Sequence, residues 1–212
     1  MEAQPISPRR RGRPPRPRED LSDTRELLLR AGLEILTEKG FSATGLDEIL
    51  RHVGIPKGSF YHYFASKEAF GLAIIERYGD FFAKKLDRHL CNPALTPLDR
   101  LHAFVYDAKA GMARHDYRRG CLIGNLGQEM GGLSESFRVQ LKNTFEDWQA
   151  RFSGCLIEAQ KAGQIASDAD ANQLAACFWI GWEGAVLRAK LEQSPKPLEV
   201  FAEFFFASLP PG

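Results

Sequence analysis

Lys57, Gly58 and Ser59 stand directly behind a Gly54-Ile55-Pro56 turn and ahead of Phe60, Tyr61, His62, Tyr63 and Phe64. Glycine supplies the turn and proline can open the next helix. The run therefore reads as a short helix whose amino end carries a cation, a position without a side chain and a hydroxyl. Phe60 and Phe64, four apart, share an inward face, which leaves the polar groups of Ser59, Tyr61, His62 and Tyr63 outside. Donors presented this way, behind a second short helix, suit a helix-turn-helix whose recognition helix offers its amino end to a DNA major groove.

A second chemistry centres on Cys121, which follows Arg118, Arg119 and Gly120. A reactive thiol needs a stabilised thiolate, and a helix amino terminus with nearby cations supplies one. The alternative is a small buried hydrophobe. Cys91, Cys155 and Cys177 lack that context. No two cysteines form a CxxC pair, so neither a zinc site nor a disulfide framework is expected. Gly120, Gly124, Gly127, Gly131 and Gly132 are no phosphate loop, since no GK[ST] follows them. No metal or cofactor is expected.

The overall charge of +1 hides an asymmetry. Residues 1–18 hold six arginines against Glu2, so this arm carries +5 and the remaining chain −4. A basic arm on a mildly acidic body is the layout of a protein that meets a polyanion at one end. Through Lys67 the count is 12 basic against 9 acidic residues, so the arm supplies most of the positive charge. Within it Arg11-Gly12-Arg13-Pro14 resembles the core of an AT-hook, whose arginines enter a narrow minor groove. A generic phosphate-attracting tail is the other reading of Arg11 and Arg13.

The elements that must hold these groups are helices. Residues 1–21, rich in Arg and Pro, are expected to be disordered. A helix-turn-helix domain is expected over 22–67. Its first helix is capped by Ser22 or Asp23 and ends at Lys39-Gly40, its second carries Leu46, Ile49, Leu50 and Val53, and its third runs to about Phe64. A fourth helix starts at Ser66 and extends to about Leu90. From 68 to 212 the chain reads helical throughout, with breaks at Asn92-Pro93, Thr96-Pro97, His115-Asp116, Gly131-Gly132, Gly163, Ser167-Asp168 and Ser194-Pro195. No alternating strand pattern occurs, which favours an all-α fold. Small residues between 169 and 193, with an apolar helix over about 198–208, suggest a four-helix interface in a homodimer. No run of eighteen apolar residues and no signal peptide appear, so the expected location is the cytoplasm, with no membrane partner.

The stretch TGLDEILRHVGIPKGSFYHYFASKEAF, from Thr44 to Phe70, resembles the signature of the TetR family of bacterial transcriptional regulators. The resemblance implies a repressor that binds double-stranded operator DNA as a dimer and is released by a small-molecule effector. It also implies DNA contacts from Thr44, Lys57, Gly58, Ser59, Tyr61, His62 and Lys67. Tyr61 and Lys67 would hold phosphates, Gly58 leaves room for close approach to base edges, and His62 reaches phosphate or base. RRGCLIGNLGQEMGGLSESFR and FWIGWEGAVLRAKLE are similar to the AcuR-type and NemR-type branch of that family, whose members respond to acrylate and to electrophiles. That similarity pairs Cys121 with Lys190 as a candidate sensor, with Arg118, Arg119 or Lys190 as cations for a carboxylate.

The residues also outline a ligand site by themselves. Trp179, Trp182 and Glu183 lie within about one helical turn and carry indole and carboxylate groups that need partners if buried. Tyr106, Asn125, Gln128 and Trp148 are the candidates for the opposite wall, and plain core packing is the alternative for the aromatics. Two other functions compete: an acyl-transfer enzyme using Cys121 with His115 as base, and a DNA-binding protein without ligand control.

Overall fold

A computed structural model describes residues 18–212, with side chains from 23 onward. Arg11 and Arg13, and with them the AT-hook-like run, lie outside the described residues. Among those described, nine helices follow one another and the only extended pairing is a single bridge between Ile165 and Pro211. The fold is all-α.

The amino-terminal layer holds α1 (Arg18–Lys39), α2 (Leu46–Val53) and α3 (Lys57–Phe60). Residue 18 is already helical, so Ser22 and Asp23 lie inside α1 and not at its start. Gly54 ends α2 at φ 67°, a left-handed turn that costs a residue with a Cβ roughly 1 kcal/mol. α3 is one turn long, shorter than predicted. After Phe60 the chain tightens, with His62 N–H bonding Ser59 O and Tyr63 N–H bonding Phe60 O, both three residues back. Phe60, Phe64 and Phe70 pack at 4.8 to 5.4 Å between centroids, Phe70 edge to face with both of the others. They lock α3 to α4 (Lys67–Leu90). Ser66 caps α4 by accepting from Ala69 N–H, as its position suggests.

α4 crosses from the amino-terminal layer into the larger bundle. That bundle adds α5 (Pro97–Ala113), α6 (Leu122–Met130), α7 (Glu135–Lys161), α8 (Ala171–Glu192) and α9 (Lys196–Ala207). Thr96, Ser134 and Asp170 cap α5, α7 and α8 through their side chains. The bundle core is aromatic: Phe152 stacks on Phe178 at 4.1 Å, and Trp148 packs tilted against Phe82 at 4.4 Å. Gly181, one of the small residues of α8, is used within the chain, because a Cβ there would lie 2.1 Å from the Phe201 ring of α9. The outward stripe of α8 and α9 carries Ile180, Leu191, Val200 and Phe204, all more than half exposed.

Candidate nucleic-acid face and ligand cavity

At the amino-terminal end, Lys57, Gly58, Tyr61 and His62 form one exposed patch, and Ser59 is half-buried beside them. The Tyr61 ring packs on Phe60 at 5.4 Å between centroids, and the residue is more than half exposed. Lys57 makes an exposed ion pair with Asp47 at 3.0 Å, a contact that competing phosphates can displace at little cost. Two expected contacts are placed differently. Thr44 is fully buried and its hydroxyl donates to Gly40 O at 2.6 Å, so no donor is left for an outside partner. Lys67 points inward: its ammonium donates to Phe41 O at 2.7 Å and sits 4.3 Å from the centre of the Phe41 ring. Desolvation lowers its pKa from the usual lysine value, against the opposing pull of Glu129. Lys67 therefore braces the α1–α2 turn, where a phosphate contact was predicted.

The same turn is gripped from the other side by α6. The Glu129 carboxylate accepts from Phe41 N–H at 2.7 Å and from Ser42 N–H. Those bonds, with Lys67 nearby, outweigh partial burial and hold its pKa below the ordinary glutamate value. Further along, the Asn125 amide donates to Thr37 O at 3.1 Å, and Arg119 pairs with Glu38 at 2.9 Å. The Lys190 ammonium donates to Thr37 O and Glu38 O, a cation on the last carbonyls of α1. α6 and its approach thus join the larger bundle to the carboxyl end of α1.

Between these layers lies a cavity of about 390 Å³. α1 contributes Arg30, Leu33 and Thr37, α4 contributes Tyr78, Phe82 and Lys85, and α8 contributes Trp182, Glu183 and Val186. Met112 of α5, Arg114, His115, Arg119 and Gly120 of the α5–α6 connection, and Cys121 complete the wall. Cys121 is the N-cap of α6, as the sequence suggested. The stabilised thiolate does not follow. Burial, then the charge of Glu183, push the thiol well above its ordinary pKa, while Arg119 is committed to Glu38 and Lys190 to α1. The expected Cys121–Lys190 pair is not formed.

Glu183 is the partner that Cys121 has. Burial raises its carboxyl from 4.5 to about 7, and the hydrogen bond from the Cys121 thiol offsets only part of that. Gly124, one turn into α6, makes the approach possible: a Cβ there would lie 2.0 Å from Glu183 Oε2. The Tyr78 hydroxyl, likewise pushed up by burial, completes the cluster within hydrogen-bonding reach of Cys121 and of Leu122 N–H.

The remaining predicted wall residues lie elsewhere. Trp148 and Trp179 are core, with indole N–H groups that have no hydrogen-bond partner among the described residues. Tyr106 is 76% exposed on α5, and Gln128 faces solvent on α6. Arg118 is exposed and does not line the cavity. His115 does line it, but the thiol is bonded to Glu183 and not to a histidine base. Sequence reasoning missed Tyr78, Lys85 and the α1 wall, whose periodicity marks only which helix face is buried. Among the described residues no group of His, Cys, Asp or Glu could hold a metal, and no helix is long and apolar enough to cross a membrane.

Residues 28–74 match the family model described as "Bacterial regulatory proteins, tetR family". Residues 97–205 match the "Tetracyclin repressor-like, C-terminal domain". The chain is 54% identical over 196 residues to the transcriptional regulator AcuR of Cereibacter sphaeroides, covering 92% of this chain and 89% of that one. It is 34% identical over 177 residues to the HTH-type transcriptional repressor NemR of Escherichia coli, covering 84% and 89%. Among solved structures, a regulatory protein TetR from Rhodobacter sphaeroides superposes with a TM-score of 0.84 at 53% identity, covering 87% of this chain and 97% of that one. The reduced form of E. coli NemR gives 0.82 at 32% identity, covering 90% and 98%.

Proposed function

Because the chain belongs to the TetR family of bacterial transcriptional regulators, we propose that it is a cytoplasmic repressor that holds operator DNA as a homodimer and releases it when a small effector fills the cavity beside Cys121. The observation that carries this reading is the composition of the cavity wall. Arg30, Leu33 and Thr37 come from α1 of the DNA-binding layer, and Tyr78 and Phe82 from α4, whose first turn is locked to α3. An effector there touches the helices that set the position of the recognition helix. Release requires that it bind better to the arrangement in which the two recognition helices no longer fit successive major grooves.

DNA contacts are assigned to Lys57, Gly58, Ser59, Tyr61 and His62, with Arg11 and Arg13 of the arm adding charge. The exposed stripe of Ile180, Leu191, Val200 and Phe204 is assigned to the dimer interface. The effector is an acrylate-like acid or a related small electrophile bound without a covalent bond, because a buried thiol beside a carboxylate is a poor nucleophile.

The test is footprinting of the chain's own promoter region, followed by affinity measurements for the protected site. Tyr61→Phe should weaken binding by roughly 1 kcal/mol across sequences, and Phe204→Glu should yield folded monomers that bind far more weakly. Dimers that survive Phe204→Glu, or operator affinity indifferent to both changes, would overturn the assignment.

A further inference from the structure

Glu183 is a half-buried carboxyl on the cavity wall, without a counter-ion among the described residues. Among the described residues its side-chain partner is the Cys121 thiol, and no cation pairs with it. The surroundings are built to admit it, since Gly124 leaves the space that Oε2 occupies. Burying a charge unpaired is costly, so such a group holds its proton or waits for a partner. Tyr78, Cys121 and Glu183 all line the cavity. With Glu183 protonated, all three present O–H or S–H donors to the same space.

The other charged groups on the wall decide what that space admits. α1 brings Arg30 and Glu34, α4 brings Lys85, α8 brings only Glu183, and the α5–α6 connection brings Arg114, His115 and Arg119. Arg30 is paired to Glu26, Lys85 to Asp107 and Arg119 to Glu38, while Arg114 has no ion-pair partner among the described residues. Three of the four lining cations are thus neutralised by carboxylates beside them, and Arg114 is left to draw an anion in.

We infer that Glu183 is the specificity-determining proton donor of this cavity, which selects an effector with a carboxylate or carbonyl oxygen and gains a proton when an anionic acid binds. The inference rests on the reading that the cavity is the effector site. The proton comes from solvent onto the Glu183 carboxylate, and its O–H is then shared with the ligand oxygen. No bond to Cys121 is made. A carboxyl that titrates near neutrality makes this coupling visible at working pH.

The test is calorimetry on the full chain with crotonate, crotonamide and crotylamine, three ligands of one skeleton and different charge, from about pH 6 to about pH 8.5. Crotonate stays ionised throughout. Its affinity should fall by nearly tenfold for each pH unit above about 7 and level off below it. Buffers of different ionisation enthalpy should show uptake approaching one proton near the upper limit. Glu183→Gln, which keeps a donor but not the titration, should bind crotonate with pH-independent affinity, and His115→Asn should keep the wild-type slope. Crotylamine should bind more weakly than crotonate at every pH.

Crotonate binding to wild type without proton uptake would overturn the role of Glu183 alone, as would loss of uptake in His115→Asn or tighter binding of crotylamine. Absence of binding by all three ligands would overturn the effector site itself and the inference with it.

Discussion

Replacing Glu183 by Gln should make the protein more stable at mildly alkaline pH, although the substitution removes a hydrogen-bonded carboxyl from the interior. The carboxyl is raised from 4.5 to about 7, chiefly by burial. A folded-state value above the unfolded one means that the native state binds the proton more tightly. The resulting contribution to stability is complete below about pH 4.5 and is lost as the pH rises through about 7. That displacement corresponds to about 3 kcal/mol, a large share of the total stability of a domain. Glutamine has nearly the same shape and does not titrate, so the space opened by Gly124 still suits it. The assay is urea unfolding at fixed protein concentration, followed by tryptophan fluorescence, at intervals from about pH 5 to about pH 8.5. Stability of Glu183→Gln relative to wild type should climb by up to about 3 kcal/mol across that range and then flatten. Parallel curves for the two proteins would refute the reasoning, because they would mean that Glu183 titrates alike in the folded and unfolded chain.

Two other outcomes follow from the same geometry. Cys121, its thiol pushed up by burial and by Glu183, should be alkylated by iodoacetamide more slowly than exposed Cys91 at neutral pH, as read by peptide mass mapping; faster labelling at Cys121 would restore the reactive-thiol reading. Glu129→Gln, which weakens the grip of α6 on Phe41 N–H and Ser42 N–H, should leave crotonate affinity unchanged while the concentration needed for operator release rises severalfold, for about 1 kcal/mol of lost coupling; an unchanged release curve would remove Glu129 from the route between cavity and DNA.

The helices were legible because their signals are local. Ser66 caps α4 from the position that marked it, α5 starts at the Thr96-Pro97 break, and Gly54 takes the left-handed turn that its place between two helices required. Phe60 and Phe64 face inward as their spacing dictated. At the site, legibility ended where a side chain's partner came from a distant segment. Cys121 was correctly set at a helix amino terminus, but its chemistry is governed by Glu183, some sixty residues away, and by burial that local sequence does not display. Arg119 and Lys190 carry the right charge for a thiolate neighbour, yet the open carboxyl end of α1 takes them both. Lys67 fits the pattern of a phosphate ligand by position, and is turned inward because Phe41 O, the Phe41 ring and Glu129 converge on it. Trp182 and Trp179 are three apart on one helix, so spacing alone could not tell the cavity wall from the core.

The central claim is that occupancy of the cavity loosens the hold on DNA. It is tested most directly by titrating acrylate, and then crotonate, into the full-length protein bound to its footprinted and fluorescently labelled operator, with anisotropy reporting the DNA and calorimetry reporting the ligand. The expected result is release of the operator over the same concentration range in which the cavity fills. A cavity saturated with ligand while the operator stays bound with unchanged affinity would contradict it.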